Sequence, residues 1–160
     1  MKDIFIDNNI AKNFANPMDK EYKKLIEWLL EYKEDEAGNP HEDNAFLAVS
    51  KKLIAEYGRS SRSAASGTNI LLIIALFTQQ GRLNAITNEQ IKTFKQRYFT
   101  KALEKKMRCN SEDREHIPVV LLSERKMALS RDDNFIYDLE NFPRFQAIVA
   151  KRPQDIPYNE

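Results

Sequence analysis

Ile4, Phe5 and Ile6 follow one another without a polar interruption and are closed at once by Asp7. A strand with one solvated face alternates apolar and polar residues, so this unbroken run predicts a short strand over 3–7 that is buried on both faces. Burial on both faces is the condition of a strand inside a parallel sheet covered by helices, and it restricts the chain to an α/β architecture. With 160 residues, 42% of them hydrophobic, there is material for one core, so residues 1–160 are read as a single domain.

The rest of the pattern supports that class. Tyr22, Leu25, Ile26, Leu29 and Leu30 recur at helical spacing and predict a helix starting near Pro17, which Gly38, Asn39 and Pro40 break. A second helix is expected through 42–58, with Phe46, Val49, Leu53 and Ile54 on one face and Gly58 as its C-terminal cap. The small polar stretch 59–69, with Arg59 and Arg62, reads as an exposed loop. Helices over 69–80 and 87–107 follow, joined by a connecting segment, with Thr87 and Gln90 at capping-box spacing. Ser111 is a candidate cap for the next helix, and Pro118 should kink or delay it. "KMALS" predicts a strand, "NFIYDLENF" a short helix and "RFQAIVAK" a last strand. Trp28, Phe46 and Phe77 fall on apolar stripes and are assigned to the core.

Charge and cysteine content remove several classes. Twenty-five Lys and Arg against 24 Asp and Glu leave a net charge of +1, so any basic surface for nucleic acid must be local. Such a surface, if present, lies on Arg59, Arg62 and the lysines and arginines of 95–108; a solvated helix face is the alternative. Cys109 is the single cysteine, which excludes an intrachain disulfide and predicts a reducing, cytoplasmic setting. The opening residues turn acidic before an export segment develops, and the apolar run 70–77 is far short of the ~20 residues needed to span a bilayer. No membrane association is expected. His41 and His116 lack cysteine companions and do not suggest zinc, and His116 is read as a helix-surface residue.

Two predicted strands end in acid: "IFID" at Asp7 and "ALSRDD" at Asp132 and Asp133. Ligands of parallel sheets bind beyond the carboxyl ends of the strands, so these acids should face one crevice. Glu56, late in a helix, and Asp113, at the start of one, are placed to join them. Gathered carboxylates repel by about 4 kcal/mol per pair at ~4 Å and an effective dielectric of ~20. Protonation would relieve that repulsion, and so would a hard divalent cation, which prefers oxygen ligands and polarises a phosphodiester. Each acid alone also has a plain structural reading, Asp7 as a helix cap and Asp132 and Asp133 as a surface turn.

At these residues the sequence resembles the PIN-domain nucleases. "IFIDNNI" matches the Asp that ends their first strand, "LIAEYGR" the Glu of an early helix, and "SEDREHIPVVLLSERKMALSRDDNF" the Asp of a late helix and the Asp of a T/S-x-D turn. The resemblance implies a three-layer α/β/α fold with a small parallel sheet, here carrying a helix-rich insertion. It further implies an Mg²⁺- or Mn²⁺-dependent endonuclease, most often of RNA, as in the toxins of toxin–antitoxin pairs. In that scheme Asp7, Asp113 and Asp132 hold the metal and Glu56 completes the acidic pocket. Asn8 or Asn9 and Ser130 orient ligands or a substrate phosphate, and Asp133 stands behind the ligands. Glu112 and Glu115 rival Asp113, and Glu42 and Asp43 are the fallbacks for Glu56. The expected partners are RNA, an antitoxin protein and a second copy of the chain.

Two other readings stay open. A PIN-like module that binds RNA or protein without cutting would keep the same acids. A phosphatase of the haloacid dehalogenase type shares the strand-Asp opening, but needs a second Asp two residues on, where this chain has Asn9.

Overall fold

The central strand is the one that opens the chain. In the computed structural model, which describes residues 1–14, 20–60 and 69–158, β1 (Lys2–Ile6) carries Ile4, Phe5 and Ile6 fully buried. It is flanked by β2 (Ala45–Val49) on one side and β4 (Met127–Leu129) on the other, both parallel to it. With β3 (Leu83–Ala85) beyond β2 and β5 (Ile148–Ala150) beyond β4, the sheet has the order β3-β2-β1-β4-β5 and is parallel throughout. Helices flank it, among them α2 (Lys20–Leu30) on β2 and α8 (Ile117–Leu122) on β1 and β2. The buried apolar residues form one cluster on which these layers close. The α/β class and the parallel sheet expected from the first seven residues are therefore found.

Several expected boundaries are not. No helix covers 42–58: residues 45–49 are β2, and only Lys51–Ser60 is helical, as α3. The run "AFLAV" lies between two strands and is buried on both faces, so it lacks the alternation that would have told it from helix. The missed signal is Ser50, whose hydroxyl accepts the Leu53 N–H at 3.1 Å and starts the helix one residue later. Gly58 lies inside α3 rather than capping it. The segment joining the next two helices holds β3, three residues long, and the long helix expected over 87–107 is two. These are α5 (Asn88–Tyr98) and α6 (Lys101–Lys106), the second capped by Thr100. The lysines of 95–108 thus do not form one stripe, and Lys95 pairs with Glu115.

Other local readings agree with the structure. α4 (Ile70–Gln80) ends at Gly81, whose φ of +67° is the left-handed cap that glycine adopts without strain. Thr87 and Gln90 make the reciprocal capping box. Pro118 divides its region into α7 (Ser111–Arg114) and α8, but the cap of α7 is Asn110, not Ser111. The short helix is α9 (Asp133–Glu140). Phe77 is fully buried, whereas Phe46 is half-buried and Trp28, also half-buried, packs at a tilt against Tyr158 with ring centres 4.7 Å apart. Pro17 and Arg62 lie outside the described residues. Cys109 is buried, and burial together with Asp138 pushes its thiol pKa far up, leaving it unreactive.

Candidate active site

The strand order locates a crevice. From β1 the chain builds to one side through β2 and β3, then returns to lay β4 and β5 on the other, so its direction reverses between β1 and β4. At such a reversal the connections diverge and leave an opening beyond the carboxyl ends of the two strands. Asp7 follows β1 there, its N–H donating to the Leu129 carbonyl at 2.9 Å, and Ser130, Arg131 and Asp132 follow β4.

A short hydrogen-bond chain ties these residues together. Asp7 Oδ1 accepts the Asn8 N–H at 2.8 Å and caps α1 (Asn8–Ala11), while Oδ2 accepts the Ser130 hydroxyl at 2.7 Å and the Asn9 amide at 3.3 Å. Ser130 Oγ in turn accepts the Asp132 N–H at 3.1 Å, and Asn9 Oδ1 accepts the Arg131 N–H at 3.0 Å. Asp132 Oδ1 caps α9 by accepting the N–H groups of Asn134 and Phe135, at 2.9 and 3.2 Å. Asp133 is exposed and pairs with Lys151, outside this chain of bonds.

Asp113, on α7, faces the same opening. Burial raises its pKa above the ordinary 3.8, and the negative charges of Asp132 and then Asp7 raise it further, the Asp132 carboxyl standing within hydrogen-bonding reach. Asp7 is also raised, chiefly by burial, against the lowering effects of the Ser130 hydroxyl, the His116 charge and the Asn8 N–H. The three aspartates therefore share one electrostatic field. Of the rivals to Asp113, Glu112 is exposed and Glu115 is taken by Lys95. Glu42 and Asp43 precede β2 at the opposite, amino-terminal edge of the sheet, where Asp43 pairs with Lys2 at 3.6 Å.

Glu56 reaches the site because of its neighbour. The fully buried Tyr57 donates its hydroxyl to the Ile6 carbonyl, the last of β1, and so pins α3 beside Asp7. Burial, then the charges of Asp7 and Glu56, push the Tyr57 phenol well above its ordinary value, so it remains a donor. Both Glu56 oxygens stand 3.0 Å from His116 Nε2. Burial alone would raise Glu56, but the hydrogen bond and charge of His116, with Lys52 and Arg59, bring it below 4.5. His116 is not on a helix surface: it is 2% exposed, with its ring against Phe5. The sequence signal is its position three residues after Asp113, a spacing closed here by a turn in which the His116 N–H donates to the Asp113 carbonyl at 3.0 Å.

Among the described residues no three His, Cys, Asp or Glu side chains are grouped closely enough to cage an ion directly. The chemistry of the donors nevertheless suits one. They are all carboxylate oxygens, and Mg²⁺ keeps several of its waters and takes only one or two protein carboxylates directly.

The raised aspartates carry a stability prediction. A carboxyl whose pKa is higher in the folded than in the unfolded chain contributes stability that is full below 3.8 and lost as pH rises through its folded value. This share of the stability of metal-free protein should therefore fall as pH rises above about 4, and Asp113→Asn should lose less. Melting temperatures across that range in EDTA check this; a variant that follows the wild-type profile would remove Asp113 from the shared field. Glu56, lowered, contributes in the opposite sense, its share disappearing as pH falls through its folded value below 4.5.

Fold and site together define a class: an α/β protein whose five-stranded, all-parallel sheet is flanked by helices, as in a PIN-like fold, with acids at the carboxyl ends of the central strands. A solved structure of that architecture is a chain of VapBC2 from Rickettsia felis, determined bound to a DNA fragment from their promoter. The match has a TM-score of 0.54 and 15% identity over 92% of this chain and 98% of that one, a likeness of fold. No protein-family model matches the sequence, and the search of curated proteins gives no significant match. Among the described residues no helix is long and apolar enough to cross a membrane.

Proposed function

We propose that this chain is a metal-dependent endoribonuclease, the toxin of a toxin–antitoxin pair acting in the cytoplasm. The observation that carries the reading is the meeting of Asp7, Asp113 and Asp132 in one field at the β1/β4 reversal. Asp7, Asp113 and Asp132 would hold Mg²⁺ or Mn²⁺, in part through water. When bound, the ion supplies Lewis-acid polarisation of the scissile phosphate and acidifies water.

The chain's own groups do the positioning. Ser130 and Asn9 fix the Asp7 carboxylate from one side and the Asn8 N–H fixes it from the other, while the first turn of α9 fixes Asp132. Groups so restrained lose little freedom when an ion and a phosphate arrive, which is the requirement for preorganised electrostatic catalysis. The antitoxin is supported by the fold likeness to a chain of a VapBC complex; RNA as substrate and a homodimer rest on the resemblance of the motifs. Asn9 bridges Asp7 and Arg131 as a structural amide, which leaves the phosphatase reading without its proton donor.

The test is cleavage of structured RNA, single-stranded DNA and p-nitrophenyl phosphate in Mg²⁺, Mn²⁺ or EDTA. RNA cleavage lost in EDTA is the expected result. Cleavage that persists in EDTA would overturn the mechanism, and phosphate release from the small ester would restore the phosphatase. Because the same acids could hold an ion without cutting, a binding module is the second reading; Mn²⁺ binding without cleavage of any substrate would be its signature.

A further inference from the structure

His116 is a buried polar group at the site that the proposed reaction does not use. Its Nε2 lies 3.0 Å from each Glu56 oxygen, and its other nitrogen, Nδ1, is buried with no hydrogen-bond partner. A carboxylate only accepts, so the proton between the two residues sits on Nε2. Phe5 closes one side of the ring, with centres 5.6 Å apart, and the Glu56 side chain is only 18% exposed. The pairing spans sixty residues of sequence and joins α3 to the start of α8.

We propose that His116 is a positioning residue that holds Glu56 out of the metal's coordination, so that the ion rests on the aspartates alone. This rests on the metal-site reading given above. Three observations support it. Both Glu56 oxygens are engaged by one imidazole, whereas Asp113 has the Asp132 carboxyl within hydrogen-bonding reach. The charges acting most strongly on Asp113 are those of Asp132 and Asp7. Asp7 feels Glu56 less than it feels His116. Glu56 is thus an oriented anion at the edge of the pocket, and its partner sets the number of carboxylates offered to the ion.

The alternative role of such a pair is the opposite one. A histidine that orients a ligating carboxylate raises metal affinity, and its loss typically costs about 10- to 100-fold. The two roles give opposite signs. Calorimetric Mn²⁺ titration of the full chain should show Asp7→Asn binding more than about 100-fold more weakly, as for a lost ligand. Glu56→Gln should weaken binding by less than about tenfold, the scale of a screened through-space charge. His116→Gln and His116→Leu should bind as tightly as wild type or tighter, and any gain should vanish when Glu56→Gln is added.

A Glu56→Gln loss equal to that of Asp7→Asn, or a loss in both His116 variants, overturns the proposal while leaving the metal site standing. Failure of wild type to bind Mn²⁺, or binding indifferent to Asp7→Asn, overturns the metal site itself and the proposal with it. A readout that needs no variant to fold is the ¹⁵N spectrum of the His116 ring in wild-type protein. Protonated Nε2 before and after Mg²⁺ addition is expected; an Nε2 without a proton in either state would overturn the pairing.

Discussion

Asp7→Asn is expected to abolish metal-dependent RNA cleavage while leaving the fold intact, with a rate loss of at least about 10²- to 10³-fold, the range for removing one preorganised electrostatic group. The fold should survive because asparagine is nearly isosteric and keeps an oxygen for the Asn8 N–H that starts α1. Its amide would face Ser130, whose hydroxyl can turn from donor to acceptor. What asparagine cannot supply is the charge. Burial has already raised Asp7, so removing that charge relieves the metal-free protein rather than straining it. Single-turnover cleavage, with a melting curve and circular dichroism of the same preparation, separates the two effects. Glu112→Gln, at an exposed position beside Asp113, is the control and should cut at the wild-type rate. An Asp7→Asn enzyme that cuts normally would remove the site from the β1 end altogether.

Arg82→Met is expected to destabilise the chain by about 3–5 kcal/mol, a large share of the roughly 5–15 kcal/mol that holds a domain together. Arg82 is completely buried, yet its guanidinium is satisfied by neutral groups. Nε donates to the Ala45 carbonyl at 2.9 Å, Nη1 to Gln80 Oε1 at 2.8 Å, and Nη2 to the carbonyls of Leu29 and Glu31 at 2.6 and 3.2 Å. The plane lies over Phe77, 3.9 Å from the ring centre. One side chain thus gathers the end of α2, the start of β2 and the end of α4. Burial pushes its pKa down to about 10, so it remains charged near neutrality. Methionine would fill the volume and leave those carbonyls unpaired, each at a cost of about 1–3 kcal/mol. Arg82→Lys should not rescue, because an ammonium lacks the planar fork that reaches three backbones at once. Urea denaturation decides the matter: a midpoint shift worth less than about 1 kcal/mol would mean the fork is dispensable.

Asp3 teaches the same lesson at the other end of β1. It is fully buried and accepts from the N–H groups of Glu124 and Arg125, each at 2.9 Å, and from the Asn84 amide at 2.8 Å. Two aspartates four residues apart therefore do different work. Asp3 is saturated by donors that bind β3 and the approach to β4 to the central strand. Asp7, beyond the strand, is held by three donors but opens towards two further carboxylates. The sequence run "DIFID" looks nearly symmetrical, and only the environment of each end separates scaffold from site.

What one dimension can carry was legible. An unbroken apolar run closed by an acid marked β1 and β4, a Thr–Gln pair marked the start of α5, and Pro118 marked a break, because each depends on residues within a few positions of one another. β2 reads as helix because a strand covered on both faces has no period to read, and β3 gives no signal because three residues make no pattern. The sequence by itself determined an α/β chain with acids at its strand ends. Tertiary structure decided that β1 and β4 lie side by side with the crevice between them, that His116 closes on Glu56, and that Arg82 sits buried among carbonyls. Those choices join residues 51 to 123 positions apart, and they are made by which faces bury apolar area and which donors find acceptors. No local preference encodes them.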